Sequence, residues 1–262
     1  MQPRETISAA IQAASAQGRP ALVGFLTAGF PNRRQFHEKL AAVAAACDVV
    51  EIGVPFSDPM ADGSTIQRAS FVALADGVTL PWILQEVAAL PKPGTTPILL
   101  MSYLNPLLAF GLDALPRAAR EAGVAGFIVP DLPFEESGDL KLALDREGLA
   151  LVQMVTPVTP AARLAMLCKA AQGFVYAVTM TGTTGASMGR SAEVPDEVLA
   201  YMDRVKSCST VPVCAGFGIR SRAQVARFAP HVDGVVVGSA LVEALERGDD
   251  VRAFLGSLRE PV

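Results

Sequence analysis

The residues best placed to do chemistry lie in one stretch, Glu51-Ile-Gly-Val-Pro-Phe-Ser-Asp-Pro-Met-Ala-Asp62-Gly63. The run before it, Ala46-Cys-Asp-Val-Val50, is short, β-branched and mostly apolar, and reads as a buried strand. Pro55, Pro59 and Gly63 exclude regular structure after it. Glu51 therefore stands at a strand's carboxyl end and Asp62 in the loop beyond. No Lys or Arg accompanies Glu51, so burial raises its pKa toward the range useful for proton transfer. The competing duties of such acids are an ion pair for Glu51 and a turn cap for Asp62. With only His37 and His231 in the chain, neither beside a nucleophile or metal-ligand partner, acid–base work falls to carboxylates.

Strands must present these acids, and eight strand-like apolar runs recur: 21–26, 49–53, 97–101, 126–129, 149–155, 174–178, 211–215 and 234–237. Helix-period segments separate them at 34–46, 80–89, 112–122, 136–147, 161–171, 195–207, 221–228 and 251–258. Strict β/α alternation demands parallel strands with crossover helices. The expected fold is α/β, a single (β/α)8 TIM barrel over residues 1–262. Extra helices are expected before the first strand (5–17), after the second (66–76) and after the eighth. An open doubly wound sheet is the runner-up, but Thr27-Ala-Gly-Phe-Pro31 follows the first strand where a G-x-G-x-x-G loop would be required. At a barrel's C-terminal rim a charged residue is more often chemical than structural.

Two further segments belong to that rim. Val213-Cys-Ala-Gly-Phe-Gly-Ile219 follows the seventh strand, and Gly234-Val-Val-Val-Gly-Ser-Ala240 runs from the eighth into a helix. Glycines there admit an anion to backbone N–H groups, and Ser239 adds a hydroxyl beside the positive end of the helix dipole. Gly218 and Gly238 are thus candidate phosphate ligands, with turn formation as the simpler alternative. After the sixth strand, residues 179–189 are small, polar and glycine-rich, the composition of a loop that closes over ligand.

Composition narrows the partners. The chain has 262 residues, 51% of them hydrophobic, ample for a large core. Mean hydropathy is +0.36, yet the longest uncharged stretch, Pro93 to Leu112, is broken by glycines, prolines and Asn105, so no membrane span is expected. The amino terminus lacks an export pattern, which points to the cytoplasm. A formal charge of −4 with no basic run argues against nucleic acid. Cys47, Cys168, Cys208 and Cys214 match no zinc or redox spacing and read as reduced thiols.

The acid-bearing segment resembles the signature of the tryptophan synthase alpha chain. Phe25-Leu-Thr-Ala-Gly-Phe-Pro31, Tyr103-Leu-Asn-Pro106, Asp131-Leu-Pro-Phe-Glu-Glu-Ser137, Tyr176, Thr181-Gly-Thr-Thr-Gly185, Gly216-Phe-Gly218 and Gly238-Ser239 resemble that family's other segments, in order. The resemblance implies a lyase that cleaves indole-3-glycerol phosphate by retro-aldol chemistry, with no cofactor or metal of its own. It implies that Glu51 shuttles protons and that Asp62 accepts from the indole N–H. Tyr176 then lies beside the acid, and Thr184 steadies Asp62. Phe25, Tyr176, Thr184, Gly185, Phe217, Gly218, Gly238 and Ser239 become the substrate-binding set, with Leu100 and Ile128 as further candidates for the apolar slot. A beta chain carrying pyridoxal phosphate is the implied partner, in an alpha2-beta2 heterotetramer. The rim segments 55–64, 102–110 and 131–137 are candidate docking loops.

The chain departs from the family pattern twice: Ser64 stands where proline is usual, and Thr183 where valine is frequent. Neither touches an acid or a phosphate-binding glycine. A barrel isomerase acting on another sugar phosphate, and a binding subunit that only activates its partner, are the competing functions.

Overall fold

The computed structural model describes residues 1–91, 96–179, 194–216 and 218–259. Its strands are β1 (Ala21–Thr27), β2 (Val49–Gly53), β3 (Ile98–Met101), β4 (Val124–Ile128), β5 (Ala150–Leu151), β6 (Gln153–Val155), β7 (Val175–Val178), β8 (Val213–Gly216) and β9 (Gly234–Val237). All the pairings are parallel, and the sheet runs β5-β4-β3-β2-β1-β9-β8-β7-β6. Its two ends, β5 and β6, are halves of one continuous segment interrupted at Val152. The fifth stave thus pairs with β4 through one half and with β7 through the other, closing the sheet into an eight-staved barrel.

Strand alternation sorts the apolar side chains into two cores. Ala21, Val23 and Phe25 of β1 point into the barrel with Val49, Leu99 and Met101. Leu22, Leu26, Val50, Ile52 and Leu100 point outward against the helices. Those helices are α2 (Phe36–Ala46), α3 (Ser64–Ala75), α4 (Leu80–Ala88), α5 (Leu104–Phe110), α6 (Leu115–Ala122), α7 (Gly138–Arg146), α8 (Ala161–Ala170), α9 (Asp196–Cys208), α10 (Arg222–Phe228), α11 (Ser239–Arg247) and α12 (Val251–Ser257). The expected extra helices are present, α3 after the second strand and α11 after the eighth.

The amino-terminal helix α1 (Pro3–Ala16) closes the barrel's floor. Ile7 and Ile11 are fully buried in the interior core, Arg4 N–H donates to the Gly148 carbonyl at 3.0 Å, and Ser8 Oγ donates to the Gly173 carbonyl at 2.5 Å. At the same end Asp48 accepts from Arg19, Arg259 and the Leu22 N–H, each at 2.8 Å.

Two helical segments differ from the sequence reading. Residues 104–110 form the helix α5, because Tyr103 extends as its N-cap and Leu107 finds a fully buried seat. The helix expected at 136–147 begins as a single 3-10 turn, Phe134–Glu136, before α7. Among the described residues no single helix is long and apolar enough to cross a membrane.

Candidate functional site

Glu51 sits in β2 in register with Phe25 of β1 and Leu99 of β3, pointing into the barrel. It is 1% exposed, and its Oε2 has no hydrogen-bond partner among the described residues. Burial, and after it the charge of Asp62, pushes the carboxyl up to about 8. Burial in apolar surroundings favours the neutral form of an acid.

Asp62 reaches the same cavity from the turn after β2. Gln67 Nε2 in α3 donates to the Asp62 carbonyl at 2.9 Å and fixes the backbone. Tyr103 Oη donates to Asp62 Oδ2 at 3.1 Å and accepts from the Ala61 N–H at 2.8 Å. The Tyr103 ring is stacked on Phe56 with centroids 5.1 Å apart. Burial raises the Asp62 carboxyl to about 6, with the tyrosine hydrogen bond pulling the other way. The raised Glu51 carboxyl is in the direction its apolar surroundings led the sequence to suggest, and Asp62 lies below it.

Phe25, Glu51, Asp62, Ile66, Met101, Tyr176, Gly218, Val236, Gly238 and Ser239 line one cavity at the carboxyl ends of the strands. Gly216 is needed beneath it: a Cβ there would meet Tyr176 Oη at 2.4 Å. Gly53 makes the same allowance for Phe25, whose ring edge would lie 2.6 Å from an added Cβ. Gly218, with φ +84°, takes a left-handed backbone that glycine adopts freely.

Gly238 is different. A Cβ there would meet nothing closer than Phe25 at 3.7 Å, so no protein neighbour requires its bareness. It is the N-cap of α11, whose Leu241 and Val242 N–H groups donate back to the Gly238 carbonyl. The N–H groups of Ser239 and Ala240 have no intrahelical partner and carry the positive end of the helix dipole. This arrangement suits an anion.

Of the sequence-predicted site residues, Glu51, Asp62, Phe25, Tyr176, Gly218, Gly238 and Ser239 come together in this cavity. Thr184, Gly185, Phe217, the departure at Thr183 and loop residues 180–189 lie outside the described residues. Leu100 is corrected: alternation turns it outward into the helix-facing core, and Met101 takes the place expected of it. Ile128 is fully buried in the interior core but does not line the cavity. Sequence reasoning missed Tyr103 as the partner of Asp62, and Ile66 and Val236 as walls. Tyr103 was visible only as part of a motif, since a contact across 41 positions leaves no periodic trace. Ser64 begins α3 directly, at the N1 position proline also favours. His37 and His231 lie away from the cavity, against Glu86 at 3.2 Å and Asp203 at 2.8 Å.

A closed (β/α)8 barrel with two buried acids and a helix amino terminus on one rim cavity has the architecture of a barrel enzyme. The model of the family "Tryptophan synthase alpha chain" matches residues 11–258. The tryptophan synthase alpha chain of Solidesulfovibrio magneticus is 43% identical over 250 residues, covering 95% of this chain and 96% of its own. Among solved structures, tryptophan synthase of Mycobacterium tuberculosis superposes with a TM-score of 0.86 at 38% identity, covering 96% of each chain. The tryptophan synthase subunit alpha of Legionella pneumophila gives 0.84 at 33% identity and 97% of each chain. The chain belongs to the tryptophan synthase alpha chain family. It is a lyase of tryptophan biosynthesis that cleaves indole-3-glycerol phosphate, in a family with no cofactor of its own. The isomerase and the purely activating subunit fall away with that membership.

Proposed function

We propose that Glu51 is the proton shuttle of this retro-aldol cleavage and Asp62 the fixed anion. The observation that supports the pairing is that two buried carboxylates share one cavity while burial, the charge of Asp62 on Glu51 and the Tyr103 hydrogen bond on Asp62 set their pKa values apart, at about 8 and about 6. At neutral pH Glu51 carries the proton that indole C3 must receive. Protonation puts positive charge on the ring nitrogen, and the Asp62 carboxylate accepts the N–H and balances it. The Glu51 carboxylate then takes the proton of the hydroxyl on the carbon attached to the ring. That carbon becomes a carbonyl, the C–C electrons return to the ring, and indole and glyceraldehyde 3-phosphate result with Glu51 protonated again.

Phe25, Ile66, Met101 and Val236 form the apolar walls for indole, and Tyr176 lies beside the acid. Gly218, Gly238 and Ser239 hold the phosphate through backbone N–H groups and the Ser239 hydroxyl. We read residues 1–262 as one barrel domain working in the cytoplasm with a beta chain that holds pyridoxal phosphate, in an alpha2-beta2 assembly. The docking segments are 55–64, 102–110 and 131–137. Met60 and Leu108, 77% and 50% exposed, lie in the first two of these.

An indole-release assay tests the reading. The protein releases indole from indole-3-glycerol phosphate slowly alone and faster with the beta chain. Glu51→Gln lowers turnover by about 10²–10⁴-fold, the range of a lost general acid–base group. Asp62→Asn reduces turnover more than it reduces affinity for glycerol 3-phosphate. Full turnover by a folded Glu51→Gln protein excludes the mechanism.

A further inference from the structure

Glu243 stands in α11, about one turn beyond the phosphate-facing Ser239, and its two carboxylate oxygens go to two different parts of the rim. Oε2 accepts from Arg220 Nη2, two residues past the cavity-lining Gly218. Oε1 accepts from Thr65 Oγ1 at 3.3 Å, in the first turn of α3, between Asp62 and the cavity wall Ile66. Side chains of Glu243 and Arg220 are only 27% and 32% exposed, so the pair is shielded more than an ordinary surface ion pair. One turn further along the same two helices, Arg68 pairs with Glu246 at 2.5 Å, but there the side chains are 51% and 41% exposed.

We propose that Glu243 is a positioning residue that couples the phosphate end of the cavity to the Asp62 end, through Arg220 on one side and Thr65 on the other. The inference rests on the placement of phosphate and indole given above. An anion at Gly218, Gly238 and Ser239 fixes both the α11 amino terminus and the loop after β8. Glu243 transmits that order to the first turn of α3, and with it to the turn that carries Asp62. Phosphate occupancy then readies the acceptor for the indole N–H. Coupling of this kind is a mutual change in affinity between two ligands and is reciprocal.

Indole and glycerol 3-phosphate serve as separate probes of the two ends, with binding followed by calorimetry on the full chain. In the unmodified protein, saturating glycerol 3-phosphate raises indole affinity by about tenfold. In Glu243→Ala that factor falls toward one, while each ligand bound alone keeps its affinity. Glu243→Gln, whose amide oxygen still accepts from Arg220 and whose amide N–H can donate to Thr65 Oγ1, restores part of the coupling. Arg68→Ala, which cuts the neighbouring ion pair outside the site, leaves it intact. Unchanged coupling in Glu243→Ala, or an equal loss in Arg68→Ala, overturns the proposal, as does an unmodified protein in which the two ligands bind without influencing each other. If the unmodified protein binds neither probe, the placement of phosphate and indole falls, and this inference with it.

Discussion

Glu51 and Asp62 share a cavity and a burial penalty, and two things distinguish them: the charge of Asp62 raises Glu51 further, and a donor from Tyr103 lowers Asp62. Among the described residues Glu51 Oε2 has no partner, whereas Asp62 Oδ2 accepts from Tyr103 at 3.1 Å. The proposed mechanism needs one acid neutral and the other charged, so kcat/KM for indole release should be bell-shaped. Its acid limb belongs to Asp62 near 6 and its alkaline limb to Glu51 near 8. Tyr103→Phe removes the bond that favours the Asp62 carboxylate. The acid limb then moves to higher pH while the alkaline limb stays, and a pH–rate profile in which the acid limb stays put would rule out that role for Tyr103. The acids themselves were legible in the sequence because a charge directly after a β-branched apolar run has few structural uses. Tyr103 was not, because its role depends on how the loop after β3 folds over the turn after β2.

Elements carry the next level of constraint. Gly216 ends β8 where Tyr176 of β7 lies across it, and any side chain there meets the ring at 2.3 Å. Gly216→Ala should destabilise the protein by about 1–3 kcal/mol, read from urea unfolding, through overpacking. Gly238→Ala meets no such obstacle, so it should keep stability near that of the unmodified protein and instead raise KM, measured in the same indole-release assay. The contrast separates a glycine that packs from one that leaves room for substrate. The order of strands and helices was readable from the sequence because each period is local. The register was less so: β4 begins at Val124, two residues before the expected start, and β8 runs Val213–Gly216 where 211–215 was expected. Pairing partners set those ends, and apolar runs extend past them. Leu100 shows the cost of a one-residue uncertainty in a strand, since neighbouring positions face opposite cores.

At the scale of the whole molecule, the buried acid affects stability. The Glu51 carboxyl moves from 4.5 to about 8 on folding, so between those values the folded chain binds more protons than the unfolded one. Stability is therefore full at acid pH on this account and falls as pH rises through that window, by an amount on the order of a few kcal/mol. Glu51→Gln should flatten the fall: its stability relative to the unmodified protein is higher at pH 8 than at pH 5, as denaturant midpoints at the two pH values can check. Beneath the site, α1 seals the barrel with Ile7 and Ile11, both fully buried. Ile11→Ala should cost about 2–5 kcal/mol.

That sealed floor also dictates traffic. Among the described residues α1 closes the floor and Val23, Val49, Leu99 and Phe174 fill the interior, so the cylinder is a cul-de-sac from below and traffic must use the opposite end. Glyceraldehyde 3-phosphate and indole have to depart past the same threshold by which their precursor arrived, and whichever protein stands over that threshold becomes the first recipient of the indole.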